Sequence, residues 1–119
     1  MSAAGSRVVL EIRTYRLQPG TRAEFHRVVA EEAVPLLASF GISVVRYGPS
    51  EEDEEGVEEY VLIRAFASVE VRGEQEERFY GSREWHEGPR AGILGPIVGY
   101  HTVVLTVSAS AVDALGSVD

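Results

Sequence analysis

From Val8 to Leu17 the chain runs VVLEIRTYRL, a β-branched and aromatic stretch that stops at the turn signal Pro19-Gly20. Polar and apolar positions alternate through much of it, which predicts a first strand over residues 8–17. The period then changes. Phe25, Val28, Val29, Leu36, Leu37 and Phe40 recur at helical spacing, so a helix is expected, with Thr21 as its cap. Pro35 removes one backbone donor inside that helix and predicts a bend, and Gly41 ends it. Residues 42–48 form a second strand and residues 59–66, EYVLIRAF, a third. Ser68 is placed to cap a helix reaching about Tyr80, weakened by Gly73. From Ser82 to Val98 the helical pattern comes in pieces, because Gly88-Pro89 and Gly95-Pro96 punctuate it. A fourth strand, YHTVVLTV, covers residues 100–107. Beyond Ser108 the chain is small and polar with little periodicity, so it is expected to be loose or to pack on a partner.

At 119 residues this is one compact domain. Its expected limits are residues 8–108, between a flexible N-terminus at 1–7 and a C-terminal tail at 109–119. The order β-α-β-β-α-β is that of the α+β ferredoxin-like fold, a split β-α-β with a four-stranded antiparallel sheet. Strands one and three are expected at its centre, as parallel neighbours. Helices cover one sheet face, and nothing within the chain covers the other.

Alternation sorts the strand residues between those faces. In strand three, Val61, Ile63 and Ala65 are small and apolar and are assigned to the helices. In strand one Val8, Leu10 and Ile12 make the matching set. The uncovered face then carries Glu11, Arg13, Tyr15, Tyr60, Leu62, Arg64 and Phe66. Leu62 and Phe66 in water would make an apolar patch that a second copy would bury, so a homodimer is expected.

Charge changes this picture little. The net charge is -8, but seven acids fall in one run between Glu51 and Glu59, and the remainder is nearly neutral. Such a run reads as a solvated loop, replaceable by a short Gly/Ser linker over residues 51–58. With no basic stripe to meet a phosphate backbone, nucleic acid is not an expected partner. All eleven basic residues are Arg, the side chain suited to bidentate recognition of carboxylate or phosphate. The absence of Cys excludes disulfides, thiolate metal sites and a cysteine nucleophile. MSAAGSR is too short in apolar residues for a signal peptide, and no stretch reaches membrane-spanning length, so a cytoplasmic protein without membrane insertion is expected.

The candidate chemistry centres on Arg13 and Arg64, neighbours on the two central strands with Glu11 beside them. They could hold a carboxylate or enolate oxygen, or form a buried ion network that fixes dimer register. Tyr15, Tyr60 and His101 are further catalytic candidates, His101 as a general base. Phe79, Tyr80, Trp85 and Arg90 could line a pocket for a flat organic ligand, or pin a helical turn to the sheet. Arg90 could equally pair with Glu84 or Glu87. His26, His86 and His101 have no metal-binding spacing, and no metal or other cofactor is expected. No Gly-rich phosphate loop or nucleophile elbow is present.

LEIRTYRLQPGTRAEFH, YVLIRAF and RFYGSREWHEGPRAGIL together resemble the NIPSNAP family, over roughly residues 10–105. That resemblance implies the architecture of the dimeric α/β barrels, a wider group with cofactor-free monooxygenases, isomerases and haem enzymes, and it names no reaction. The chain departs from the family pattern at Gly73 and in the run Gly92, Gly95, Pro96 and Gly99, which should weaken the last helix. Three functions are compatible with these residues. The first is a homodimer that binds a small organic molecule. The second is a cofactor-independent tailoring enzyme of the monooxygenase, isomerase or cyclase type in secondary metabolism. The third is an interaction module without a ligand.

Overall fold

The computed structural model describes residues 6–117. Four strands, β1 (Arg7–Leu17), β2 (Ser43–Pro49), β3 (Glu58–Phe66) and β4 (Ile97–Ser108), form one sheet in the order β2-β3-β1-β4. Arg7 therefore belongs to the first strand rather than to a flexible N-terminus; residues 1–5 lie outside the described residues. β1 and β3 are central, as expected, but antiparallel. The crossover from β1 to β2 leaves a gap one strand wide, and β3 fills it running the other way.

Between β1 and β2 a continuous helical rod comprises α1 (Arg22–Val28), a π-turn (Val29–Ala33) and α2 (Val34–Ser39). Pro35 sits in the first turn of α2, where its missing donor costs little. The irregularity expected at Pro35 is taken up by the π-turn before it. Gly41 closes the rod with φ +78°, and its N–H donates to the Ala38 carbonyl. Thr21 does not cap α1, because its hydroxyl donates to the Gln18 carbonyl instead. The Glu58 carboxylate does that work from across the fold, accepting from the backbone N–H groups of Gly20 and Arg22 at 2.9 and 3.0 Å.

Part of the acidic run is thus structural. Asp53 pairs with the Arg22 guanidinium and accepts from the Glu59 N–H. Wholesale replacement of residues 51–58 would remove both anchors, contrary to the loop expectation. Glu58→Ala should lower the melting temperature by a few degrees while Glu51→Ala leaves it unchanged, a comparison that thermal denaturation followed by circular dichroism makes directly.

After β3 come α3 (Val69–Tyr80), α4 (Arg83–Glu87) and α5 (Arg90–Leu94). The Ser68 and Ser82 hydroxyls cap α3 and α4, accepting from the Val71 and Trp85 N–H groups. Gly92 serves packing rather than weakness: a Cβ there would lie 3.1 Å from a Val28 methyl, so α5 can approach α1 this closely only without one. The residues past Ser108 are not a loose tail. They form α6 (Ala109–Gly116), capped by the Ser108 hydroxyl and packed across the sheet against β1, β2 and β4 of its own chain.

The two sheet faces are sorted as the alternation predicts, but the helices cover the opposite one. Tyr60, Leu62, Arg64 and Phe66 are buried, with Glu11 and Tyr15 beside them, and Phe25, Leu37, Phe79 and Trp85 complete the core. Val61, Ile63 and Ala65 lie on the face that helices α1–α5 leave open. The reason is volume: aromatic side chains fill the space between sheet and helices where Val and Ala would leave voids. Phe66→Asp would therefore disrupt the core rather than separate two chains. The apolar patch left in water is carried instead by Val103 and Leu105 of β4, 45% and 41% exposed.

Candidate functional site

Register places Glu11 of β1 directly opposite Arg64 of β3, and neither side chain reaches solvent. A buried ion pair needs further hydrogen bonds to offset its desolvation, and α3 supplies them. Arg72, Glu76 and Tyr80 stand four residues apart, on one helix face that looks down on the pair. Arg64 donates to Glu11 Oε1 at 2.7 Å, to Tyr80 Oη at 2.9 Å and to Glu76 Oε2 at 2.9 Å. Arg72 donates to the other Glu11 oxygen at 2.7 Å and lies 3.5 Å from Glu76 Oε2. Both carboxylate oxygens of Glu11 are thereby engaged.

Arg13 is held differently. Its Nε donates to Thr102 Oγ1 at 3.1 Å, its Nη1 reaches Tyr80 Oη at 3.4 Å, and its contact with Glu11 is long, 3.7 Å. The Tyr100 ring lies beneath the guanidinium at 5.8 Å. Arg13 has no short carboxylate partner among the described residues. Tyr80 Oη accepts from both Arg64 and Arg13, so its own hydrogen is directed away from them.

The cage separates its two acids. Burial pushes Glu11 upward, but the hydrogen bond with Glu76 and the charges of Arg64 and Arg13 outweigh it and hold Glu11 well below the ordinary carboxylate range. For Glu76 burial and the shared hydrogen bond with Glu11 act together, against Arg64, and push it up to about 7. Burial likewise pushes the Tyr15 phenol up to about 12, so it stays neutral.

Beside this cage opens a cleft of about 340 Å³. Arg13, Glu76, Tyr15 and Tyr80 supply its polar wall, and Trp85 and Ile93 stand among its apolar residues. Tyr80 and Trp85 meet edge to face, with ring centroids 5.1 Å apart. Glu11 and Arg64 lie behind the wall rather than in it.

Of the residues singled out in the sequence, Glu11, Arg13, Tyr15, Arg64, Tyr80 and Trp85 come together here. Three do not. Tyr60 lies along the same sheet face but bonds His26 Nδ1 at 2.6 Å, outside the cleft lining. His101 stands opposite Thr14 on the other face, exposed, and so cannot act as a base in this cleft. Arg90 is exposed and does not line it. The ion network joins the sheet to α3 of the same chain, so it does not set dimer register. Sequence reasoning missed Arg72, Glu76, Thr102 and Tyr100. The four-residue spacing of Arg72, Glu76 and Tyr80 was the available signal for the first two. Among the described residues no group of three His, Cys, Asp or Glu could hold a metal ion, and no helix is long and apolar enough to cross a membrane.

The family model described as NIPSNAP matches residues 10–106. The chain belongs to the NIPSNAP family. A NIPSNAP family protein of unknown function from Agrobacterium tumefaciens is 27% identical, with 87% of this chain and 91% of that one covered and a TM-score of 0.77. A NIPSNAP domain protein from Burkholderia xenovorans is 22% identical over 85% and 95% of the two chains, at a TM-score of 0.72. The ferredoxin-like fold extends further, to a Caulobacter crescentus protein provisionally described as an antibiotic biosynthesis monooxygenase. That protein is 21% identical over 87% and 91%, with a TM-score of 0.55. No curated protein matches. Kinship with the NIPSNAP proteins thus accounts for the fold that carries the cage and cleft, and names no ligand.

Proposed function

We propose that this NIPSNAP protein binds a small organic anion, a flat molecule with a carboxylate at one end, in the cleft before Arg13. The observation that carries this reading is the unequal use of the three guanidiniums. Arg64 and Arg72 are each committed to Glu11 at 2.7 Å, whereas Arg13 turns its remaining capacity toward a cleft walled by aromatic rings. A carboxylate meeting Arg13 gains charge-assisted hydrogen bonds, and its apolar body displaces water from Trp85 and Ile93. Trp85 is the only Trp in the chain, so its fluorescence reports occupancy. Phenylacetate should quench it and neutral phenylacetamide should not. Arg13→Met should weaken phenylacetate about tenfold or more, the worth of a hydrogen bond to a charged group. Equal binding of acid and amide would defeat the reading.

The protein works as a homodimer in this proposal, joined through the β4 half of the open face. Val103 and Leu105 are exposed there, and each buried side chain of this size gains about 1.5–3 kcal/mol. Light scattering at micromolar concentration should give twice the 13.0 kDa chain mass, and Leu105→Glu should return it to the single-chain value. A monomeric parent protein would refute the dimer and leave the cleft untouched.

A further inference from the structure

The cleft holds more than an anion receptor requires, because a second acid stands in its wall. Glu11 cannot serve a ligand: it is fully buried and both its oxygens are bound by arginine. Glu76 differs on each count. It lines the cleft, its side chain is 16% exposed, and its hydrogen bond to Arg64 runs through Oε2. Tyr80, one turn further along α3, aims its hydroxyl hydrogen away from both guanidiniums that donate to it. A partly exposed carboxyl, a phenol donor and a guanidinium with unused donors therefore share one aromatic-walled cleft.

We propose that Glu76 is the general acid–base of this cleft, and that the substrate is an enolisable 2-oxo acid with an aromatic arm, which the protein tautomerises. This rests on the anion-binding reading above and gives it a reaction. The aromatic arm lies against Trp85 and Tyr80, and the carboxylate meets Arg13. The Glu76 carboxylate takes a proton from the carbon next to the ketone. The C–H electron pair becomes the new carbon–carbon double bond, and the carbonyl π pair moves onto oxygen as the enolate. Arg13 and the Tyr80 hydroxyl stabilise that oxygen. Glu76, now protonated, returns the proton to oxygen, giving the enol, or to carbon, regenerating the ketone. No oxidant, metal or cofactor enters the balance.

The groups facing Glu76 suit the task. Glu11 and Arg13 approach from β1, Arg64 from β3, and Arg72 and Tyr80 from α3 itself. Among them Glu11 is the only other carboxyl, and it stays ionised. Burial of Glu76 and then its hydrogen bond with Glu11 favour the protonated form of Glu76, against the pull of Arg64. An acid poised near neutrality in this way both accepts and donates at working pH.

Phenylpyruvate in deuterated buffer is the probe, its methylene signal followed by proton NMR and its binding by Trp85 fluorescence. The parent protein should wash out the methylene protons faster than buffer alone, with a rate that rises through a midpoint near 7, where Glu76 titrates. Glu76→Gln should slow exchange at least about 100-fold, the usual scale of a lost general base, while its affinity for phenylpyruvate stays within about threefold. Glu76→Asp, which keeps the carboxyl, should retain part of the rate. Binding without accelerated exchange by the parent would overturn the proposal and leave anion binding standing, and so would a Glu76→Gln protein as fast as the parent. If Glu76→Gln does not fold, the parent profile decides, since a midpoint at the ordinary carboxylate value would overturn the assignment. Failure of phenylacetate to bind would instead remove the anion-binding reading, and this inference with it.

Discussion

Glu11→Ala should destabilise the protein by about 3–5 kcal/mol, the usual consequence of removing one partner from a buried ion pair. Arg64 would be left fully buried with only Glu76 to balance it, and Arg72 would lose its 2.7 Å contact. Denaturant titration measures the loss. Glu11→Leu combined with Arg64→Met should recover most of it, because an apolar pair of similar bulk removes the stranded charge along with its partner. The same network sets a dependence on pH. Glu11 is held below its ordinary value of 4.5, so its contribution is present above that pH and fades as pH falls toward 2. Glu76 is raised from 4.5 to about 7, so its contribution is complete below 4.5 and is lost as pH climbs to about 7. Across that upper interval the unfolded chain releases its proton before the folded one does, so stability should decline as pH rises. Glu76→Gln should flatten that decline; an unchanged decline in the variant would show that it originates elsewhere.

Trp85→Ala should cost a further 3–5 kcal/mol, on the order of other buried aromatic truncations. Trp85 is 5% exposed and packs on Phe79 at 5.4 Å and on Tyr80 at 5.1 Å between centroids, holding α4 against the end of α3. Calorimetry should show a fall of roughly ten degrees or more. A melt within a degree or two of the parent would mean that α4 is held by its Ser82 cap and its neighbours alone. Trp85→Phe keeps an aromatic ring in place and should retain much of the stability, which separates the structural role of this residue from its role as cleft wall.

The strand order, the helix cap at Ser68, and the partition of β1 and β3 residues into two sets were all legible. What alternation does not contain is which set faces the helices. Charged residues at Glu11 and Arg64 argue locally for water. They are buried because Arg72, Glu76 and Tyr80, distant in the chain, arrive to bond them. The cleft shares that origin. Its residues come from β1, α3, α4, α5 and β4, so individual side chains such as Arg13, Tyr80 and Trp85 could be suspected, but not their convergence. α6 escaped for another reason: three of its eight residues are alanine, but so short a segment shows no clear period and is marginal alone, so it depends on packing against the sheet.

The two outer strands differ in a way that bears on assembly. β2 is interrupted by a register shift between Val44 and Arg46, and the end of α6 lies against its Val45 carbonyl. β4 runs for twelve residues with one irregularity, near its start. A chain with two open edges can add copies at both and grow without limit, the route to fibrils. The β4 edge is the longer and more regular of the two. The bulge in β2 makes its own edge a poorer template for a further strand.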